Sequence, residues 1–218
     1  MIRHLMVANR GEIALRILRC ATDLGLRTLA VASADDVTAL HLRNTDRAHA
    51  LPGSGPAAYP DSAALLEAAR QAGCDAVHPG YGFLSESAEF ARACAAAGLR
   101  FVGPTPEQLA VLGDKAQARA LAQRCEVHVL RGTPGAVTRD EAHAFLEALG
   151  RPIMIKALVG GGGRGIRLVR DAAALDEAYA RCQSEALRAF GDGRVYLKQA
   201  LTLARHIEVQ VVGDGQGV

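Results

Sequence analysis

Apolar and polar positions along this chain fall into blocks whose period switches repeatedly between that of a buried strand and that of an amphipathic helix. Residues 4–8, HLMVA, are a short apolar run ending in Asn9, Arg10 and Gly11, after which apolar residues recur at 13, 14, 17, 18, 21 and 24. This reads as a buried strand, a tight turn and a helix stopped by Gly25. Residues 27–32 are the next strand, so the chain opens with a βαβ unit whose crossover is expected to be right-handed. Residues 33–60 read as loop, with a short helix near 38–43 and turn residues at Pro52, Gly53, Gly55, Pro56 and Pro60. Asp61 can cap a helix over 62–72, a strand follows at 74–78, Ser85 can cap a helix over 86–97, and Phe101 and Val102 give a further strand. Such alternation predicts an open parallel α/β sheet with its ligand crevice at the carboxyl ends of the strands.

The second half has a different rhythm. Helices are predicted over 106–112, 116–124, 139–149 and 172–190, with short strands at 127–130, 195–199 and 206–212. Between them, residues 152–170 read PIMIKALVGGGGRGIRLVR: two apolar runs separated by four glycines at 160–163, then Arg164 and Gly165. Glycines allow positive φ and bring unobstructed N–H groups close to a ligand, so a glycine run between two strands suits a loop over phosphates. The same stretch holds basic side chains and no acidic one, which marks a site for an anion. It matches neither the P-loop nor the dinucleotide fingerprint, and a solvated glycine hairpin is the plain alternative.

Composition narrows the partners. The net charge of +2 and aromatic content of 4% supply neither the basic field nor the stacking surface of a nucleic-acid or membrane binder. No run approaches a membrane span, and Arg3, His4, Asn9 and Arg10 occupy the first ten residues where a signal peptide would be apolar, so a cytoplasmic protein is the expectation. The five cysteines are scattered without CxxC spacing, which predicts neither a disulfide frame nor a zinc site. Residues 1–112 carry ten basic and eleven acidic side chains, leaving fifteen and twelve for 113–218. Only three of the basic residues are lysines, Lys115, Lys156 and Lys198, all in that second half, and a compact ammonium is a good partner for phosphate. The strand-end loop 78–85, with His78 and Tyr81, is a second candidate site, read equally well as a packed turn.

Taken in order, ANRGEIALRI (8–17), HPGYGFLSES (78–87), GDK (113–115), MIKALVGGGGRGIRLVR (154–170) and RHIEVQV (205–211) resemble the biotin carboxylase family. The resemblance implies an α/β protein: a parallel-sheet pre-ATP-grasp domain over 1–112, followed by an incomplete ATP-grasp domain over 113–218 with its glycine-rich lid. It also implies MgATP-driven activation of bicarbonate and carboxylation of biotin on a carrier protein, with a carboxyltransferase downstream. By similarity, Lys115, Lys156, Gly162, Gly163, Lys198, Gln199, Ala200, Leu201 and His206 would meet ATP, and Tyr81 and Gly82 would face biotin. Arg19 and Asp23 match a helix used for homodimer contacts.

Departures accompany the match. Lys198, Gln199 and Ala200 stand where the family has a carboxylate, a basic residue and tyrosine; EVHVLRG replaces a glycine- and proline-rich turn; and Val159 replaces a small residue. The family's metal ligands, bicarbonate-binding residues and general base are expected beyond Val218, so no catalytic residue and no metal ligand is assigned within the chain. Alone it is expected to be inactive. A short nucleotide-binding or interaction module, or a relative that has lost ATP binding, are the alternatives.

Overall fold

A computed structural model describes residues 1–159 and 165–213, with the side chains of Lys115 and Ala116 set aside. Strand β1 (His4–Val7) leads into helix α1 (Gly11–Asp23), and β2 (Arg27–Ala32) and β3 (Arg47–Ala50) follow. Helix α2 (Ser62–Ala72), β4 (Ala76–His78), α3 (Ala88–Ala96), β5 (Arg100–Phe101) and α4 (Pro106–Gly113) complete the alternation. All four strand pairings are parallel and the order is β3-β2-β1-β4-β5. The sheet therefore starts in its middle, and the crevice between β1 and β4 is the point where the chain departs in opposite directions.

Strand alternation divides the core between the sheet's two faces. Met6, Leu29, Val31 and Val77 pack with Leu65, Ala68 and Ala69 of α2 and Phe90 and Cys94 of α3. Leu5, Val7 and Ala30 turn the other way, onto Ala14, Ile17, Leu18 and Ala21 of α1, the residues whose spacing predicts that helix. Parallel strands buried on both faces explain why β1 and β2 read as continuous apolar runs.

Contact density separates two compact units, Met1–Ala118 and Arg119–Val218, the division falling within α5 (Lys115–Arg124). The second unit holds α6 (Arg139–Leu149), β6 (Ile153–Ala157), β7 (Ile166–Val169), α7 (Leu175–Phe190) and β8 (Val195–Gln199). The strands form an antiparallel sheet in the order β7-β6-β8. One face, Ile153, Ile155, Val169, Val195 and Leu197, packs on Ala142 and Leu146 of α6 and Leu175, Tyr179 and Cys182 of α7. Helix α6 begins with a capping box between Thr138 and Glu141 and ends on Gly150 in the left-handed conformation.

Several sequence expectations are corrected. Helix α3 is capped by Ser87, which accepts from Phe90 N–H at 3.1 Å, rather than by Ser85. β3 lies inside the stretch read as loop, because RAHA is short, has only alanines as apolar residues, and takes its strand character from pairing with β2. No strand forms at 127–130 or 206–212. The first follows a turn in which Glu126 takes φ 59°, and pairing begins only with an isolated bridge between Gly132 and Lys198. The second alternates apolar residues as a strand would, yet 201–213 is exposed throughout, with Ile207 at 74% and Val209 at 79%. A strand exists through hydrogen bonds to a neighbour. β6 is flanked on both sides, and residues 131–137 cover the outer edge of β8.

Burial divides the thiols. Cys94 and Cys182 are buried and Cys74 half-buried, all three pushed up to about 11 by desolvation, whereas Cys20 and Cys125 are exposed. Among the described residues no helix is long and apolar enough to cross a membrane. Leu65 is fully buried between α2 and the sheet. Leu65→Ala should lower the unfolding free energy by about 2–5 kcal/mol, read by urea denaturation.

Candidate functional site

In the second unit, the sheet face turned away from α6 and α7 carries Met154, Lys156, Ile166, Leu168, Tyr196 and Lys198, as the alternation of β6 and β8 requires. Lys156 is paired across β6 and β8 with Tyr196, and Met154 with Lys198. The two lysines thus occupy diagonal positions on adjacent strands, where Cα atoms are about 7–8 Å apart. Lys198 Nζ lies 6.0 Å from the centroid of the Tyr196 ring. Burial pushes the Tyr196 phenol up, with Arg119 acting in the opposite direction. Two ammonium groups beside a largely buried aromatic ring form a surface matched to an anion bearing a planar group.

The end of β8 is fixed by its backbone. Gln199 N–H donates to Arg131 O at 2.7 Å and Ala200 N–H to Pro152 O at 2.8 Å. Ala200 is buried, and Leu201, 57% exposed, begins the open run. His206 belongs to that run; its side chain is 86% exposed and its Nε2 is 3.6 Å from Glu208 Oε2. The fold therefore sets Lys156 and Lys198 diagonally on one sheet face, places Gln199 and Ala200 further along at the end of β8 beside Ile153 and Pro152, and leaves His206 on an exposed segment. Gly162, Gly163 and the Lys115 side chain lie outside the described residues. Among the described residues no cluster of three or more His, Cys, Asp or Glu could hold a metal. The residues of the open face fit a nucleotide's phosphates but not Mg²⁺, which requires oxygen ligands.

The first unit builds its own strand-end site. Asn9, following β1 and 2% exposed, donates from Nδ2 to both Pro79 O (2.7 Å) and Tyr81 O (2.8 Å), and its Oδ1 accepts from Arg10 N–H at 2.8 Å. One amide thereby ties the loop after β4 to the end of β1 across the crevice. Gly80, at φ +67°, is pressed on Asn9 so closely that a Cβ would lie 2.6 Å from Nδ2. Tyr81, 60% exposed, donates its hydroxyl to Glu12 Oε1, and Gly82 also has positive φ.

Beside this loop, Arg10 Nε donates to Asp36 Oδ2 at 2.7 Å, and the buried Tyr59 hydroxyl donates to the same oxygen at 2.9 Å. Phe83 stacks on Tyr59 with centroids 5.3 Å apart. The Arg10 guanidinium holds the Asp36 carboxyl below its ordinary range, and burial raises the Tyr59 phenol. Sequence reasoning gave no role to Asn9, Arg10, Asp36 or Tyr59. The signal for the first two was the polar triplet directly after an apolar strand; Asp36 and Tyr59 sit in a stretch that shows only turn residues. Arg19 and Asp23, on the exposed side of α1, line a recess of about 290 Å³ with Thr22, Arg43 and Asp46.

Comparison with known proteins completes the description. The sequence profile of the family described as "Biotin carboxylase, N-terminal domain" matches residues 1–109. The chain belongs to the biotin carboxylase family. The profile described as "Carbamoyl-phosphate synthase L chain, ATP binding domain" matches residues 114–218. Mitochondrial pyruvate carboxylase of Mus musculus is 48% identical over 99% of the chain, and pyruvate carboxylase of Staphylococcus aureus is 46% identical over the same share. The chain spans about a fifth of the length of these curated relatives, 19% in both cases. Among solved structures, the Campylobacter jejuni biotin carboxylase β,γ-ATP complex superposes with a TM-score of 0.87 at 38% identity, covering 93% of this chain and 46% of that one. The biotin carboxylase domain dimer of Hydrogenobacter thermophilus 2-oxoglutarate carboxylase, in complex with MgADP, ADP and bicarbonate, gives 0.85 at 36% identity, with coverages of 93% and 45%.

Two outcomes follow for the strand-end cluster. A depressed carboxylate contributes stability that is present above its unfolded value, near 3.9, and is lost as pH falls through its lower folded value. The stability gap between the native chain and Asp36→Asn should therefore be full at pH 6 and shrink as the solution is acidified below about pH 4, as measured by denaturant titration at each pH. Asn9→Ala should destabilise the first unit by about 1–3 kcal/mol and speed amide hydrogen exchange across residues 80–83.

Proposed function

We propose that this chain is the N-terminal portion of a biotin carboxylase, with a pre-ATP-grasp domain over 1–112 and part of an ATP-grasp domain over 113–218. In that role Lys156 and Lys198 hold phosphate and the polar edge of ATP, and the backbone of 199–201 meets the adenine. Lys115, Gly162 and Gly163 complete the phosphate contacts, and His206 joins them if its segment folds back. The observation that carries the reading is the convergence of Lys156 and Lys198 on the face of the second sheet turned away from its core. The nucleotide complexes named for the similar Campylobacter and Hydrogenobacter structures support it.

ATP, when bound, supplies a transferable phosphoryl group that activates bicarbonate. The chain's own residues bind and orient it: two fixed ammonium groups offset phosphate charge, and the sheet sets their spacing. Carboxylation of biotin on a carrier protein, delivery to a carboxyltransferase, and pairing with a second copy through the α1 face bearing Arg19 and Asp23 belong to the same proposal. Tyr81 and Gly82, on the loop tethered by Asn9, face the biotin. Since no described cluster fits a divalent ion, phosphoryl transfer requires metal ligands other than the described residues of this chain.

Calorimetric titration tests the reading: ATP should bind the native chain, and Lys156→Ala should weaken it by about tenfold or more, the worth of a charged hydrogen bond. Equal heats for both proteins would sink the assignment of this face to a nucleotide. The chain by itself should show no bicarbonate-dependent, biotin-stimulated ATP hydrolysis in a phosphate-release assay, and turnover above background would refute the need for outside metal ligands.

A further inference from the structure

Among the described residues, strand β8 has β6 along one edge and no strand along the other. Its outer edge is covered by the segment 131–137, which bonds to it at alternate residues. Gln199 N–H donates to Arg131 O at 2.7 Å, Thr133 N–H to Leu197 O at 3.0 Å, and Val137 N–H to Val195 O at 2.9 Å. Leu197 N–H is satisfied differently, by the Thr133 side chain, whose Oγ1 accepts it at 3.0 Å. The same hydroxyl donates to Gly135 O at 3.0 Å, so its proton is committed and a lone pair is left facing Leu197. Thr133 thus closes a two-bond ring around Leu197, using a side-chain oxygen where a neighbouring strand would use a carbonyl. The far end of the segment is tied down by Tyr179, whose hydroxyl donates to Val137 O at 2.7 Å.

Lys198 lies between the two bonded residues, opposite Gly132. That position has no room for a side chain: a Cβ would be 2.8 Å from Leu197 O and 3.2 Å from Lys198 Cγ. The placement of Lys198 is therefore set from two sides, by Met154 of β6 and by the segment at its back.

We propose that residues 131–137 act as a strap that positions Lys198 and the following backbone for an adenine nucleotide, with Thr133 as the positioning residue. Thr133 touches no ligand; it acts by fixing the strand that does. The inference rests on the nucleotide reading of the open face and adds the element that sets its base selectivity.

The test compares the native chain, Thr133→Val and Thr133→Ser. Valine keeps the shape but neither accepts nor donates, whereas serine keeps the hydroxyl. ATP and GTP are titrated by calorimetry into each protein, and amide exchange at Leu197 and Gln199 is followed without nucleotide. Thr133→Val should bind ATP about tenfold more weakly, lose most of its preference for ATP over GTP, and exchange the Leu197 amide about tenfold faster, while Thr133→Ser stays within about twofold of native. Should Thr133→Val fail to fold, Gly132→Ala is the second arm, and the same loss of preference is expected because it displaces Lys198 while leaving Thr133 intact. Unchanged exchange at Leu197, equal weakening of ATP and GTP, or equal loss in the valine and serine variants would each overturn the positioning role. If the native chain binds neither nucleotide, the nucleotide reading falls and this role with it, whereas native binding with an unaffected Thr133→Val overturns the strap alone.

Discussion

Every N–H and C=O that a strand carries into a core needs a partner, and the way each edge meets that requirement shapes this molecule. In the first unit the parallel ladder is extended past the strand ends by one buried side chain, Asn9, which satisfies two carbonyls of a loop that no longer runs as a strand. In the second unit the edge of β8 is closed by a loop in which a threonine hydroxyl replaces a missing carbonyl. Where the described residues offer no partner, as along 206–212, a sequence with good strand chemistry stays irregular and exposed.

The same requirement separates structure from chemistry. Groups consumed by satisfying the backbone, such as Asn9 and Thr133, are buried or half-buried and hold others in place. Lys156 and Lys198 stand on the sheet face turned away from the second unit's core, and Tyr81 stands on an exposed loop. This is the division expected of a binding scaffold: rigid elements carry the ligand-facing side chains, and an inner layer of hydrogen bonds fixes their spacing. It also explains how α6 and α7 can be ordinary amphipathic helices, since their task is only to fill one face of the sheet.

Much of the fold was legible because it depends on short-range pattern. The period of α1, the continuous apolar runs of β1 and β2, and the stops at Gly73 and Gly150 are local signals, as are the two apolar arms of the glycine hairpin. What escaped depends on tertiary pairing. β3 has the unpromising sequence RAHA and becomes a strand by lying beside β2. The 206–212 run has the right alternation and pairs with no neighbour among the described residues. In the candidate sites, Lys156 and Lys198 stood out by their rarity, whereas the roles of Asp36 and Tyr59 required knowing that the segment around β3 brings both onto Arg10. His206, carried over from a family motif, lies on a segment the described fold leaves open.

The uneven burial of the cysteines has a practical side. Cys94 and Cys182 are shielded, and their thiols resist ionisation at neutral pH, as does that of Cys74, while one exposed cysteine remains in each unit: Cys20 near the end of α1 and Cys125 just after α5. A mild alkylating dye would therefore select one position on either side of the division without any engineered residue. The native chain carries its own pair of attachment points, one label site in each unit, with no cysteine having to be introduced.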